Sequence, residues 1–310
     1  MAAELIPYKQ RIAEIFNSNK PLINSKLVYL SDLSGEELGF LEQTWAKTDV
    51  ERRRQVISQL VLLSEVDFKL DFSSIFVFCL RDPDEAVRTQ AIAGLEAEEN
   101  HLLIAPLVRL LREDSSAKVR AAAATVLGRF AMLSELGELP TDYAAKVYTA
   151  LLEVLESKAK SVEVKRRALE AIAPLNLPRV KEFIEEAYHN TDVKLKASAI
   201  YAMGRNCDPL WLTTLLTELS CDEAEIRYEA ANACGELGAD EAVPYLIRLI
   251  EDEDAQVQEA AIKALGEIGG KEAKQALHKL RENPKPRIRQ AAKSALKEID
   301  FCEDPLSLKF

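Results

Sequence analysis

The sequence predicts an all-α fold, a right-handed α-solenoid of stacked antiparallel helix pairs with about eight repeats. Three observations predict it. A similar phrase returns at a fixed interval, as in LKASAIYAMGRN, IRYEAANACGEL and VQEAAIKALGEI, which begin at residues 195, 226 and 257. The apolar residues of each phrase have helical spacing. Gly and Pro number only 11 and 12 in 310 residues, which favours helices.

The phrase predicts the second helix of each pair. An apolar anchor opens it, Ala follows four positions later and another apolar residue eight positions later, so all three share one helix face. The small Ala allows a neighbouring helix to approach closely. The anchors are Val87, Val119, Val164, Leu195, Ile226, Val257 and Ile288, at intervals of 32, 45, 31, 31, 31 and 31 residues.

Glycine follows the last apolar position in four phrases, at Gly128, Gly204, Gly235 and Gly266. Such a glycine suits either a left-handed helix end or close helix packing, and the pattern leaves both open.

The first helix of each pair is clearest in IAPLVRLLRED at 104–114 and AVPYLIRLIED at 242–252. An acidic residue lies three positions before the next anchor, where a short carboxylate caps a helix N-terminus. These residues are Asp84, Asp192, Glu223 and Asp254. A basic residue follows most anchors, four positions after the acid, so the two can pair along a helix or between stacked repeats.

These phrases resemble the HEAT-repeat superfamily, and more narrowly the short bacterial HEAT-like repeats of the phycobilisome-lyase type. The resemblance covers roughly residues 49–300, including a degenerate first copy at Arg52, Val56 and Leu60. We expect residues 1–48 to form an N-terminal helical cap, in which SGEEL at 34–38 begins a helix with a capping box. Residues 301–310 are expected to be a C-terminal tail.

The 45-residue interval carries an insertion near 130–147, which predicts either a longer helix or a protruding loop. A basic run, KAKSVEVKRR, follows at 158–167 and is either a solvated face or an anion-binding site. Two further segments are strongly charged, an acidic one at 218–254 and a basic one at 271–297. They could bind a partner of mixed charge, join copies end to end, or simply keep the surface soluble.

The resemblance implies that second helices line the inner surface of the solenoid. Their outward positions then lie two, six and ten residues after each anchor, and Tyr and Arg concentrate there in the central repeats. Tyr and Arg often dominate protein interfaces. The candidate partner-binding residues are Arg166, Arg167, Tyr201, Arg205, Tyr228 and Asn232. The competing interpretation is that the aromatic residues fill gaps between repeats, and we favour it for Trp211.

No motif for catalysis, phosphate binding or metal binding is present in the sequence. The histidines His101, His189 and His278 form no HExxH or His-Glu pair. We therefore predict no cofactor, no metal and no enzymatic activity. Five scattered cysteines predict a cytoplasmic protein. The longest apolar run has six residues, which predicts no membrane span. The net charge of −11 argues against nucleic-acid binding.

The leading functional hypothesis is a protein-binding scaffold or adaptor with a protein partner held on the concave surface. The alternative, implied by the repeat subtype, is a bilin lyase or a chaperone of bilin attachment. A third hypothesis is a nucleic-acid enzyme, because some HEAT-like arrays are DNA-repair glycosylases. Those resemble basic clamps, and the net charge of −11 opposes this hypothesis.

Overall fold

The computed structural model describes residues 8–157 and 161–303. All regular structure in these residues is helical, which confirms the predicted all-α class. The described part of the chain contains no β-strand, and none of its helices is both long and apolar enough to cross a bilayer. The chain divides into two compact units, Met1–Val164 and Lys165–Phe310, called unit 1 and unit 2 below.

The helices alternate between first and second helices of successive pairs, and short 3₁₀ turns lead into three of the first helices. The helices before the unit boundary are α1 (Tyr8–Ile15), α2 (Asn24–Leu27), α3 (Gly35–Trp45), α4 (Val50–Val66), α5 (Ser73–Cys79), α6 (Glu85–Ala93), α7 (Ile104–Glu113), α8 (Ala117–Glu135) and α9 (Thr141–Glu156). The remaining helices are α10 (Val162–Ile172), α11 (Pro178–Tyr188), α12 (Val193–Asn206), α13 (Leu212–Glu218), α14 (Ala224–Leu237), α15 (Val243–Leu249), α16 (Ala255–Ile268), α17 (Gly270–Leu280) and α18 (Pro286–Glu303).

In unit 1 the second helices α4, α6 and α8 pack on one another in sequence. Trp45, Phe72 and Phe130 are among the largest buried side chains of its core, and the Trp45 Nε1 donates a hydrogen bond to Asp82 Oδ2 at 2.6 Å. The predicted capping box is present at the start of α3, where Ser34 and Glu37 bond each other's backbone amides.

The insertion lengthens two helices of unit 1. Helix α8 has 19 residues and α9 has 16, whereas α12, α14 and α16 each have 14. Only a short connection separates α8 from α9, so the extra residues extend helices, which was one of the two predicted outcomes.

In unit 2 the second helices form one layer and the first helices form the other. Helices α12, α14, α16 and α18 contact their neighbours in the layer extensively, whereas consecutive first helices barely touch. When two layers stack with unequal spacing, the tighter layer lies on the inner side of the curve. The second helices of unit 2 therefore occupy the tighter layer, as the HEAT resemblance implied.

Glycine makes this close approach possible. A Cβ on Gly204 would lie 2.7 Å from the Ala233 Cα, and one on Gly235 would lie 2.9 Å from the Ala264 Cα. Because both distances are too short for real carbon atoms, these glycines serve close packing. The left-handed helix ends lie a few residues later, at Cys207 with φ 53° and at Gly238 with φ 64°.

The acidic positions before the anchors divide by side-chain length. Asp84, Asp192 and Asp254 each accept hydrogen bonds from backbone amides in the first turn of the following helix. Glu223 makes no side-chain cap, since its carboxylate is one carbon further from the backbone. The capping prediction is thus confirmed for the aspartates.

Two of the basic positions after the anchors, Arg88 and Arg227, pair between repeats, with a different acid from the predicted one. Arg227 forms a bidentate pair with Asp252 at 2.7 and 2.8 Å and also donates to the Cys221 and Asp222 carbonyls. Arg88 makes the same arrangement with Asp114 in unit 1. Each pair joins one second helix to the loop before the next, so it fastens consecutive repeats together.

Candidate partner-binding face of the second helices

The candidate residues predicted from the sequence lie on α10, α12 and α14 of unit 2. Tyr201 on α12 and Tyr228 on α14 are each 37% exposed, so the offsets predicted their direction correctly. We call the surface around them the central face. Its members are Arg166, Arg167, Glu170, Ser198, Tyr201, Arg205, Glu225, Tyr228, Glu229, Asn232, Glu236, Lys263 and Glu267.

One edge of the central face is a hydrogen-bonded chain between α10 and α12. The Arg166 Nε donates to the Ser198 Oγ at 2.9 Å, and this hydroxyl donates to Glu170 Oε1 at 2.6 Å. Arg167 Nη1 donates to the second oxygen of Glu170 at 2.8 Å. The two candidate arginines therefore already hold polar groups of the protein, and they fix the position of Glu170.

The other edge contains glutamates that lie across the glycine seam. Arg205 Nη1 is 3.7 Å from Glu236 Oε1, and Lys263 Nζ is 2.9 Å from Glu267 Oε1. Glu236 Oε2 would be only 3.1 Å from a Cβ on Gly204. The glycine thus leaves room both for the next helix and for a carboxylate of that helix.

Glu229 is different from the other carboxylates of the central face. Within the part of the chain that the structure describes, its side chain has no hydrogen-bond partner and no ion-pair partner within 4.0 Å. Burial, together with the nearby carboxylates of Glu170, Glu225 and Glu236, raises the pKa of Glu229 to about 7. Arg166 opposes this rise. Glu229 is therefore a half-buried acid held among like charges.

The outward offsets do not include Glu229, because it lies three positions after its anchor, beside the packed face. The corresponding position is Ser198 in the preceding second helix and Ala260 in the following one. Both of those small residues are buried. A glutamate at a position that its neighbours fill with small residues was the signal available in the sequence.

One of the two exposed tyrosines, Tyr201, lies near this carboxylate. The Tyr201 pKa is raised, chiefly by burial, and Glu229 is among the acids that contribute. Tyr228 precedes Glu229 in the chain, and its carbonyl accepts a hydrogen bond from Asn232 Nδ2 at 3.1 Å. Asn232 is thereby turned back onto its own helix. The exposed rings and the unpaired acid form the part of the face that can receive another molecule.

Other residues singled out in the sequence lie away from this face. Trp211 is 5% exposed and donates to Asn206 Oδ1 at 3.1 Å, while Asn206 donates to the Ala173 carbonyl at 2.9 Å. Trp211 therefore packs between repeats. Lys158 and Lys160 of the basic run lie outside the described residues.

The remaining chemistry is equally limited. His101 stacks near the Tyr143 ring, with centroids 4.5 Å apart, and His189 packs against the Tyr188 ring. Among the residues with described side chains, no group of three or more His, Cys, Asp or Glu could hold a metal ion. The basic segment 271–297 lies on α17 and α18, where Arg287 pairs with Glu259 at 2.8 Å.

Comparison with known proteins identifies the class. Residues 212–297 match the family model described as HEAT repeats. A chain in the complex of CpcE and CpcF of phycocyanin lyase from Nostoc sp. PCC7120 is 15% identical, with 97% of this chain and 99% of that chain covered and a TM-score of 0.56. This chain has the HEAT-repeat fold.

Nuclear transport proteins share the same fold. Importin beta is 13% identical with a TM-score of 0.50, and 89% of this chain covers 44% of that chain. The karyopherin Kap121p, bound to the extreme C-terminus of the protein phosphatase Cdc14p, is 14% identical with a TM-score of 0.50. There 93% of this chain covers 37% of the karyopherin, so this chain spans less than half of either transport protein. No curated protein matches the chain.

Proposed function

We propose that this chain is a non-catalytic scaffold or adaptor that binds a protein partner on the central face. The observation that carries the proposal is the pair of exposed tyrosines, Tyr201 and Tyr228, beside an unpaired carboxylate on the tighter helix layer. Rigid aromatic side chains contribute much contact area at low entropic cost, which suits an interface. The karyopherin neighbour supports it, since its HEAT-repeat fold holds the end of another protein. We place this function in the cytoplasm.

A paired pull-down with the full chain tests the proposal. One bait carries Tyr201→Ala and Tyr228→Ala. The matched control carries Tyr245→Ala, because Tyr245 is 38% exposed but lies on the first helix α15, in the other layer. We expect a partner captured by the native chain and by the control to be lost from the double variant. Equal capture by all three baits would contradict the proposed site.

A bilin lyase or bilin chaperone is the alternative, and one observation favours it. One chain of the phycocyanin lyase complex is covered almost end to end by this chain. Mixing the chain with free phycocyanobilin tests it, because a bound bilin shifts its visible absorbance and a transferred one stays on the acceptor after denaturation. An unchanged spectrum in the presence of an acceptor protein would exclude this alternative.

A further inference from the structure

We propose that the central face receives a Lys- or Arg-bearing segment of the partner protein, with Glu229 as the carboxylate that holds its cationic side chain. Tyr201 and Tyr228 would flank that side chain. This inference rests on the proposed function, because it names the chemistry of the partner at the same site.

The charges around Glu229 favour the binding of a cationic group from another molecule. Three other acids of the central face have positive partners: Glu170 has Arg167, Glu236 has Arg205 and Glu267 has Lys263. Glu229 lacks such a partner among the described residues, although it is half-buried beside three other carboxylates. A buried charge without a partner lowers stability, so its presence suits a group that is completed on binding.

The chemistry of the surroundings favours an organic cation over a metal ion. The described side chains include no cluster of three acids, histidines or cysteines that could coordinate a metal. Tyr201 lies near Glu229, and the rings of Tyr201 and Tyr228 are both exposed. Aromatic faces attract ammonium and guanidinium groups, and a carboxylate accepts their hydrogen bonds.

The spacing favours a protein segment over a single small cation. Tyr201 and Tyr228 lie on successive second helices, and packed helices have axes about 8–10 Å apart. Three residues of extended chain span about 10 Å, so a short segment reaches both rings while one of its side chains reaches Glu229.

Phage display of random dodecapeptides on the full-length chain tests the inference. We expect the native chain to enrich peptides with Lys or Arg, and Glu229→Gln to lose that enrichment. The matched control is Glu241→Gln, which removes one charge from an exposed residue in the turn before α15. It separates specific recognition from attraction to the net charge of −11.

The strongest enriched peptide then gives the quantitative test. Its Kd should rise at least tenfold in Glu229→Gln and less than twofold in Glu241→Gln. Binding should also tighten by up to about tenfold from pH 6 to pH 8 in the native chain, because a cation binds the ionised acid and Glu229 has a pKa of about 7. The pH dependence should be absent in Glu229→Gln.

The groups that face Glu229 are Glu170 and Arg166 on α10, Tyr201 on α12, and Glu225 and Glu236 on its own helix. Glu170 and Glu236 keep their cations in Glu229→Gln, so the variant isolates one titration.

Two results would overturn the inference: enrichment without Lys or Arg, or equal binding by the native chain and Glu229→Gln. If the enriched peptides still lose affinity in the Tyr201→Ala and Tyr228→Ala variant, the face remains the binding site and only the role of Glu229 fails. If neither variant changes binding, the proposed function fails as well.

Discussion

The charged groups between repeats differ from Glu229 on the central face in whether they are paired. At the inter-repeat position, Arg227 and Asp252 are both buried, in bidentate contact, and the pairing lowers the pKa of Asp252. On the central face, Glu229 is half-buried without a pair, and its pKa is raised to about 7. Neighbouring repeats thus hold one carboxylate that stabilises the ionised folded state and one that opposes it. Arg227, which pairs between repeats, and Glu229, which we propose for binding, lie on the same helix.

The largest expected effect comes from breaking the ion pair between Arg227 and Asp252. Arg227→Ala leaves Asp252 buried without its cation, which we expect to lower the free energy of unfolding by about 3–4 kcal/mol. Arg205→Ala removes a looser contact on the central face and should cost less than about 1 kcal/mol. Urea unfolding of the two variants measures the difference. Similar losses would mean that both arginines serve the fold alike.

A smaller effect is expected from the glycine seam that brings the helices of the central face together. Gly204→Ala places a methyl group against the backbone of Ala233 and should destabilise the chain by about 2 kcal/mol. Gly39→Ala is the matched control, because Gly39 lies inside α3 with no atom within 4 Å of an added Cβ. That control should raise stability by about 0.5–1 kcal/mol through helix propensity. Thermal unfolding followed by circular dichroism gives both values, and stabilisation by Gly204→Ala would refute the close seam.

The smallest expected effect is a gain in stability, and it comes from replacing the unpaired Glu229. The rise of the Glu229 pKa from 4.5 to about 7 means that the folded state loses stability as the pH rises through this window. Below about pH 4.5 the acid is protonated in both states and contributes nothing. Glu229→Gln should therefore stabilise the chain by about 1–2 kcal/mol at pH 8, allowing for relaxation around the charge, and by almost nothing at pH 4.5.

Urea unfolding at the two pH values checks this prediction. Glu241→Gln again provides the control, since an exposed side chain should change stability little at either pH. A loss of stability in Glu229→Gln at pH 8 would show that the carboxylate has a favourable partner inside the protein.

Much of the fold followed from the sequence because the repeat depends on local rules. The residues four positions after the anchors, such as Ala199, Ala230 and Ala261, are fully buried, as helical spacing predicted. The aspartate caps followed for the same reason, since a cap and its amides lie within one turn. Even the degenerate first copy was found, with Val56 and Leu60 buried.

The long-range features could not be found in this way. The pairing of Arg227 with Asp252 joins residues 25 positions apart, and the spacing suggested a nearer acid instead. The exposure of Glu229 depends on how closely α12 and α14 approach, which the sequence expresses only through Gly204 and Ala233. The outward tyrosines were predicted because their direction is set by their own helix, whereas the partners of Arg166 and Arg167 are set by neighbouring residues.

The glycine seam also has an evolutionary consequence. At each junction from α12 to α18 the same two residues meet, Gly nine positions and Ala seven positions after their anchors. A block of 31 residues duplicated or deleted between these junctions would rejoin surfaces of identical chemistry, so the array can change length without redesign of its core. Helix α18 has exposed Lys297 at the glycine position, and a side chain of that length would hold a further helix away. Repeats can thus be exchanged within the array, whereas Lys297 disfavours the same close packing of a further helix on α18.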